Sequence, residues 1–349
     1  MTKHSCPRRE SPVEKAVLRE AFELFTALVT AIGNGNDTAL PAKKFPEQVD
    51  IGVFFVFVVL CLAVNWGVRL AIVHPMAKVI LRGPPEKACS ARRLRVKCEK
   101  FSQAFMEMMF YAAFSIFGYI LVMSQDWFWP SKNWWDGFAE KDTEGRSVHS
   151  YMTDALAGYY ILYAARYFQG AVSVCLEHKR KDFWEMQVHH LVTFLLVVIS
   201  YAYGWNRVGA VIMLNFDPAD VPLHTAKMLK YLGERRCGRA ENAFALLADV
   251  FFVVFMMLFF GTRIFLHGYI CWSAHIEATV YFPKYFPEWT CVVLLYILLG
   301  LQLFWGWLIV KVLYKLATTG HVEDNRSDDE ESQSETEDPR ASMQHKKEK

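Results

Sequence analysis

Seven apolar windows, each long enough to cross about 30 Å of hydrocarbon, leave this chain little choice of fold. They lie near residues 51–73, 101–122, 151–175, 186–204, 208–231, 242–266 and 290–313. Inside a bilayer every backbone polar group must be bonded within the protein, which favours helices. The sequence, 53% hydrophobic and 15% aromatic, therefore predicts an all-α polytopic membrane protein with about seven transmembrane helices.

Lysine and arginine are unevenly divided among the segments that join these windows. Eight lie in 74–100 and three in each of the short segments 176–185 and 232–241, but 123–150 holds three and 267–289 one. Because cytosolic loops carry the excess of positive charge, we expect a lumenal N-terminus and a cytosolic C-terminus. The predicted parts are a lumenal arm (1–50), a first transmembrane helix (51–73), a basic cytosolic loop (74–100), a six-helix domain (101–315) and a disordered acidic cytosolic tail (316–349).

Short motifs outside the windows fit this orientation. Asn36 begins an Asn-Asp-Thr sequon on the lumenal arm and is the predicted glycosylation site. The final residues 346–349 have the form of a dilysine signal, which resembles the retrieval address of endoplasmic-reticulum membrane proteins, or they are simply a charged chain end. Phosphorylation by acidophilic kinases is predicted at three tail serines, each followed by an acid three residues on: Ser327, Ser332 and Ser334.

Four ionisable residues at bilayer depth are the candidate catalytic group. His189 and His190 are adjacent in the fourth window, and Asp217 and Asp220 lie in the fifth. One Asp at a helix centre costs about 2.5–3.5 kcal/mol on insertion scales, so such residues should face the bundle interior. Neighbouring helix positions diverge by about 100°, so the two histidines should have different roles. An imidazole oriented by Asp217 or Asp220 is a base or an acyl acceptor near neutral pH, whereas the alternative is a pair of structural core histidines.

Helical phase groups further polar residues with these four. Thr193 and Ser200 share a stripe with His189, while His224 and Lys227 share one with the aspartates. Arg166 belongs to a third polar stripe, on the third window, where it either contacts substrate or pairs structurally with Asp154, Glu107 or Asp249. We expect the three faces to line a common interior.

Residues 181–233 resemble the signature of ceramide synthases, members of the TLC-domain family. The matching residues are Asp182-Phe183, His189-His190, Thr193, Ser200-Tyr201, Arg207-x-Gly209, Asp217-x-x-Asp220, Leu223 and Ala226-Lys227-Met228. The sequences Lys100-Phe101 and Trp129-Pro130-Ser131-Lys132-Asn133-Trp134-Trp135 are similar too, so that the resemblance extends over about 95–315. The chain departs from the family pattern at Phe216, where a His is usual, at His224, where a Glu is common, and at Pro218 and Pro222.

The resemblance implies a TLC-type bundle of the last six helices around a central cavity, in the endoplasmic-reticulum membrane. It implies transfer of a fatty acyl group from acyl-CoA to the amine of a long-chain sphingoid base, with His189, His190, Asp217 and Asp220 as catalytic residues. The expected partners are acyl-CoA, the sphingoid base and membrane lipid, without nucleic acid; a homodimer, a heterodimer and a small regulatory subunit all stay open. Candidate substrate-binding residues are Arg166, Thr193, Ser200, Tyr201, Arg207, His224 and Lys227. Arg92, Arg93, Lys179, Arg180 and Lys181 either attract the negative charges of acyl-CoA or only set the topology.

Three other functional classes compete with this reading. A non-catalytic TLC-domain protein, acting as a lipid sensor or an aid to membrane insertion, is the main alternative, although such relatives often lack the His pair. A transporter would explain buried Asp and Arg but not adjacent histidines. A di-iron hydroxylase would need H-x-x-H-H clusters, which this sequence does not contain, so neither a metal nor another cofactor is expected beyond the co-substrate acyl-CoA.

Overall fold

A computed structural model describes residues 12–34, 44–87, 89–143, 145–177 and 182–319, and within these ranges the protein is helical, with two isolated β-bridges and no longer strand. The long helices are α1 (Pro12–Asn34), α2 (Val49–Ile80), α3 (Ala91–Val122), α4 (Asp154–Leu176), α5 (Phe183–Ala202), α6 (206–233), α7 (Arg239–Val280) and α8 (Phe286–Thr319). The predicted all-α class is confirmed. The predictions for Asn36, Lys179, Arg180, Lys181, Ser327, Ser332, Ser334 and residues 346–349 fall outside the described residues.

Five of these helices, α2, α3, α5, α7 and α8, are long and apolar enough to cross a membrane, which makes this a multi-pass membrane protein. The two remaining predicted spans correspond to α4 and α6, which carry the buried charged residues Arg166, Asp217 and Asp220. Every residue of α4 from Ala155 to Tyr167 is buried. Because its neighbours shield α4 from the surroundings, it can hold charge that a hydropathy scan penalises. A total of seven spans stays a prediction.

Part of the predicted lumenal N-terminal arm (1–50) forms helix α1, which packs on the bundle. Ala21, Leu24 and Leu28 recur at helical spacing and are all at most 4% exposed, so one narrow stripe of α1 packs on the bundle. The contact with α4 is close because residue 158 is glycine: a Cβ there would lie 2.9 Å from the carbonyl oxygen of Leu24. Charged residues interrupt the rest of α1, so no apolar window of spanning length reveals it.

The basic segment 74–100, predicted to be a loop, is largely helical, because α2 continues to Ile80 and α3 begins at Ala91. Contacts between this segment and residues 234–236 explain why it is helical where a loop was expected. Arg236 donates to the carbonyl of Ile80 (3.1 Å) and Arg235 to that of Leu81 (3.1 Å), which satisfies carbonyls left open at the end of α2. Lys97 pairs with Glu234 at 2.7 Å. These contacts join the predicted cytosolic ends of α2, α3 and α6.

The connection between α3 and α4 closes the opposite, predicted lumenal, end of the bundle. Trp135 is fully buried, packs edge-to-face against Trp205 (5.0 Å between centroids) and donates from Nε1 to Ser273 (2.8 Å). His149 is 2% exposed and its Nε2 lies 2.6 Å from the carbonyl oxygen of Asp136. Burial of the imidazole, aided by the positive charge of Arg207, lowers the pKa of His149 to about 4.

Candidate functional site

The site begins at an interruption in α6. Its first part ends at Phe216, and Asp217–Ala219 form a single 3₁₀ turn before the helix resumes at Asp220. Pro218 causes the interruption, since it has no N–H to continue the α-helical pattern. Within the turn the N–H of Asp220 bonds the carbonyl of Asp217, which leaves the carbonyl of Phe216 free for another donor.

Arg263 of α7 supplies that donor. Its Nε and Nη2 lie 3.2 and 2.7 Å from the Phe216 carbonyl oxygen, and Nη2 also pairs with the carboxylate of Asp220. Arg263 lies in a π-helical stretch, Phe259–Leu266, a form of helix often found at functional sites. Sequence reasoning missed Arg263, although an arginine inside an apolar window is itself a signal. Asp220 is therefore a buried carboxylate with its own cation.

Asp217 has a different environment. It is 2% exposed, and its Oδ1 accepts a hydrogen bond from the hydroxyl of Tyr163 at 3.2 Å. The hydroxyls of Tyr163 and Tyr167 are 3.4 Å apart, and their rings stack with centroids 4.9 Å apart. Two tyrosines one turn apart on α4 thus lead away from the carboxylate. Neither of them was among the predicted site residues.

The second of these tyrosines, Tyr167, lies between the two histidines of α5. Its ring centroid lies 5.9 Å from that of His189 and 5.8 Å from that of His190. The two imidazoles are 5.8 Å apart and inclined at 78°, in agreement with the divergence expected of adjacent helix positions. The structure therefore brings His189, His190 and Asp217 together around Tyr163 and Tyr167.

His190 is fixed in one orientation. Its Nδ1 lies 2.7 Å from the carbonyl oxygen of Met186, and since a carbonyl only accepts, Nδ1 carries a proton. The ring packs against Gly170 of α4, where a Cβ would lie 2.7 Å from Nε2. Glycine at this position gives the imidazole its space.

His189 is held by packing. Its ring meets Trp305 of α8 edge-on at 5.4 Å, and its buried Nδ1 has no hydrogen-bond partner within the described ranges. The predicted hydrogen bond from His189 to a carboxylate is therefore not formed at this atom. Tyr163 and Arg263 bond the two aspartates instead.

Two cavities lie on either side of Tyr163. The first, with about 300 Å³ of empty space that includes its opening, is lined by Phe110, Tyr111, Phe114, Tyr163, Arg166, Tyr167, His190 and Asp217. The second, with about 290 Å³ of empty space that likewise includes its opening, is lined by Tyr163, Thr193, Leu196, Val197, Ser200, Gly209, Ile212, Met213, Phe216 and Leu298. The first contains ionisable groups, and the second is mainly apolar. Among the described residues no group of three or more His, Cys, Asp or Glu is arranged to hold a metal ion.

Four of the predicted substrate-binding residues lie at or beside these cavities. Thr193 and Ser200 line the second cavity. Arg166 lines the first, where it pairs with Glu107 at 2.5 Å, one of the three partners that the sequence left open. His224 stacks on Tyr111, with 5.6 Å between the ring centroids.

The other predicted contacts lie elsewhere. Tyr201 donates to Asp50 at the start of α2 (2.9 Å), and Arg207 donates to the carbonyl of Asn133 (2.8 Å), so both fasten the predicted lumenal end of the bundle. Lys227 is half-buried in α6, and neither cavity includes it. Arg92 is exposed and Arg93 half-buried in the first turn of α3.

Comparison with known proteins gives one family and several relatives. The family model of the TLC domain matches residues 100–311. Ceramide synthase 4 of Bos taurus is 29% identical over 235 residues, which are 67% of this chain and 55% of that protein. Ceramide synthase 5 of Homo sapiens is 30% identical over 240 residues, 68% of this chain and 56% of that protein. The Alternaria stem canker resistance protein 1 of Solanum lycopersicum is 25% identical over 305 residues, 83% of this chain and 93% of that protein. The chain thus spans little more than half the length of these two ceramide synthases.

Proposed function

Because this chain belongs to the TLC-domain family, we propose that it is a ceramide synthase, which transfers a fatty acyl group from acyl-CoA to the amine of a long-chain sphingoid base. One observation carries the proposal: His189, His190 and Asp217 meet around two tyrosines inside the bundle, next to a cavity. The relatives named ceramide synthase support it. A non-catalytic lipid sensor needs no such group of imidazoles and carboxylate.

The residues suit acyl transfer from a thioester to an amine. A thioester is already activated, whereas an ammonium group must lose a proton before it can attack, so the site needs a base. In its neutral form His190 is suited to act as that base, because Met186 holds the proton on Nδ1 and leaves the lone pair on Nε2. Asp217, through Tyr163, supplies negative charge to stabilise the imidazolium that forms.

Two routes of acyl transfer differ in the role that they give to His189. In the direct route the amine attacks the thioester carbonyl, the carbon–sulfur bond breaks and CoA leaves as the thiol. In the covalent route His189 first takes the acyl group as an acyl-imidazole, CoA leaves as the thiol, and the amine then displaces the imidazole. We favour the covalent route, since His189 and His190 then have separate roles. Rapid quenching with acyl-CoA alone, followed by mass spectrometry of the His189 peptide, detects the adduct or rules it out.

The second cavity is the proposed site of the acyl chain. Its walls include Leu196, Val197 and Ile212, which suit methylene groups. Tyr160, whose hydroxyl donates to the carbonyl of Asn206 at 2.8 Å, lies at one end: a Cβ on Gly209 would be 2.1 Å from this hydroxyl. We expect the space before Tyr160 to limit the length of chain accepted.

Localisation and orientation are part of the same proposal. The enzyme lies in the endoplasmic-reticulum membrane with its N-terminus lumenal and its C-terminus cytosolic, so that acyl-CoA reaches the His pair from the basic side. Arg92, Arg93 and residues 179–181 would attract the negative charges of CoA. Charge reversal at 179–181 should then raise KM for acyl-CoA in protein that is still correctly inserted, and an unchanged KM would leave these residues a topological role only.

The decisive experiment measures ceramide formation in microsomes that express the protein. Sphinganine and acyl-CoAs of graded length are supplied to the wild type, His189→Ala, Asp217→Ala and the control His275→Ala, whose imidazole bonds Tyr296 away from the site. The wild type should form ceramide, the two site variants should be slower by about 10³-fold or more, and the control should be unaffected. Absence of wild-type turnover with every acyl-CoA, or full activity of His189→Ala, would favour the non-catalytic alternative.

A further inference from the structure

Gln302 of α8 is a buried polar residue that the fold does not explain. Its side chain is completely buried, and neither its amide nitrogen nor its amide oxygen has a hydrogen-bond partner within the described ranges. Buried amides are nearly always hydrogen-bonded, because desolvation without a partner is unfavourable. An apolar residue of the same size would fit the same space without this penalty. Gln302 therefore points to a group that binds from outside the fold.

Two further polar atoms without partners lie on the facing helix. The hydroxyl of Thr193, a residue 4% exposed, and Nδ1 of His189 are both buried without a hydrogen-bond partner in the described part of the chain. They are four residues apart on α5 and therefore share one face. Gln302, Thr193 and His189 thus each have a buried polar atom that forms no hydrogen bond within the described residues.

The packing of α8 on α5 places these residues at one level. His189 contacts Trp305, and Leu298 lines the second cavity together with Thr193 and Leu196. Leu298, Gln302 and Trp305 follow one stripe of α8, at spacings of four and three. In the antiparallel register set by the contacts at either end, Gln302 falls opposite Thr193, between the His pair and the apolar cavity.

We propose that Gln302 and Thr193 bind the reacting carbonyl and amine of the substrates. A carboxamide carries N–H donors and a carbonyl acceptor, which suit the carbonyl oxygen of the acyl group and an N–H of the attacking amine. The Nε2–H of Gln302 and the hydroxyl of Thr193 donate to the acyl carbonyl oxygen, and Oε1 of Gln302 accepts from the amine. The inference rests on the proposed acyltransferase function and assigns the residues that hold the reacting bond.

This arrangement stabilises the transition state more than the substrates. As the amine nitrogen bonds the carbonyl carbon, the carbonyl oxygen gains negative charge and its hydrogen bonds strengthen. The carbon–oxygen double bond then re-forms, the carbon–sulfur bond breaks with its electron pair going to sulfur, and CoA leaves as the thiol by taking the proton that the amine gave to histidine. The oxygen is held in the same way if the leaving group is the His189 imidazole.

Gln302→Met tests the proposal, because methionine keeps the volume and removes both polar atoms. We expect kcat to fall about 100-fold with KM for acyl-CoA nearly unchanged, while Tm in detergent is equal to or above that of the wild type. Thr193→Val should lower kcat by about tenfold. The control Leu294→Met, at another buried position of α8, should change neither value. Turnover of Gln302→Met within threefold of the wild type, or a loss of Tm in step with its loss of activity, would overturn the proposal.

A binding measurement separates this proposal from the proposed function. If the wild type makes no ceramide, the acyltransferase assignment fails, and the subsite is then judged by thermal stabilisation with N-acyl sphinganine in the same detergent. Stabilisation of the wild type and Leu294→Met, but not of Gln302→Met, supports an amide-binding subsite. Equal shifts in all three proteins, or none in any of them, overturn it.

Discussion

A single methyl group added at Gly170 should lower the activity of the protein but leave its stability nearly unchanged. A Cβ added there would lie 2.7 Å from Nε2 and 2.9 Å from Cδ2 of His190. An unstrained contact needs about 3.5 Å, so the imidazole must move by roughly 0.8 Å. Because the ring is the end of a side chain and α4 is a packed helix, the ring is the part that moves. Its bond to Met186 is then lost or distorted.

The two expected effects of Gly170→Ala differ greatly in size. A misplacement of about 1 Å at a reacting group lowers a rate by about 10²-fold. Stability changes little, since the lost hydrogen bond costs about 1 kcal/mol and replacing glycine with alanine in a helix returns about 0.4–1 kcal/mol. The variant should therefore fold like the wild type and turn over about 100 times more slowly.

Initial rates of N-acylation, measured with Tm on the same detergent-purified protein, test this expectation. The matched control is Gly300→Ala on α8, where an added Cβ meets no atom within 4 Å. The control should keep wild-type turnover and an equal or slightly higher Tm. A Gly170→Ala variant that retains at least a third of wild-type turnover, or whose Tm falls along with its rate, would show that activity does not depend on a precisely placed His190.

Three further predictions concern charge. Arg263→Met should destabilise the protein by about 3–5 kcal/mol in denaturant unfolding, since it leaves Asp220 buried without its cation, and a second change, Asp220→Leu, should restore most of this loss. Tyr163→Phe should keep the fold and lower turnover, and combining it with Asp217→Asn should lower turnover no further, because both act through one hydrogen bond. Burial lowers the pKa of His149 to about 4, so the unfolded chain, with a pKa near 6.5, binds more protons between these values. The free energy of unfolding should fall by about 3 kcal/mol as pH drops through this window, and His149→Gln should flatten the pH profile of Tm.

Hydropathy and helical phase predict much of this fold. The five apolar helices follow from hydropathy alone, and α4 and α6 were expected as helices despite their charges. Helix α1 was missed because its buried residues, Ala21, Leu24 and Leu28, form a stripe too narrow to produce an apolar window. The extent of α2 and α3 was missed for a related reason. Arg235 and Arg236 stabilise the end of α2 from 154 or more residues along the chain, and local sequence does not reveal such a contact.

The candidate site is predictable as a group of residues but not as a set of hydrogen bonds. Spacing brings His189 and Asp217 to the interior and places Tyr163 on the same polar stripe of α4 as Arg166, yet it does not show that Tyr163 and Tyr167 stand between them. The turn at Pro218 rotates the second half of α6 relative to the first, so an ideal helix misplaces Asp220. Arg263 was overlooked because it lies in a strongly apolar span, where an ionisable residue is in fact most informative.

The environments of the two aspartates indicate which of them is the partner of the histidines. Asp220 faces the guanidinium of Arg263, which also holds the Phe216 carbonyl, so its charge is already compensated. Asp217 accepts from the neutral hydroxyl of Tyr163, which polarises a carboxylate without neutralising it. When an imidazole next to Tyr167 gains a proton, Asp217 is therefore the one of the two carboxyl groups whose described partner is a neutral hydroxyl. We therefore expect Asp217, and not Asp220, to act with the histidines in proton transfer, while Asp220 pairs with Arg263 at the interruption of α6.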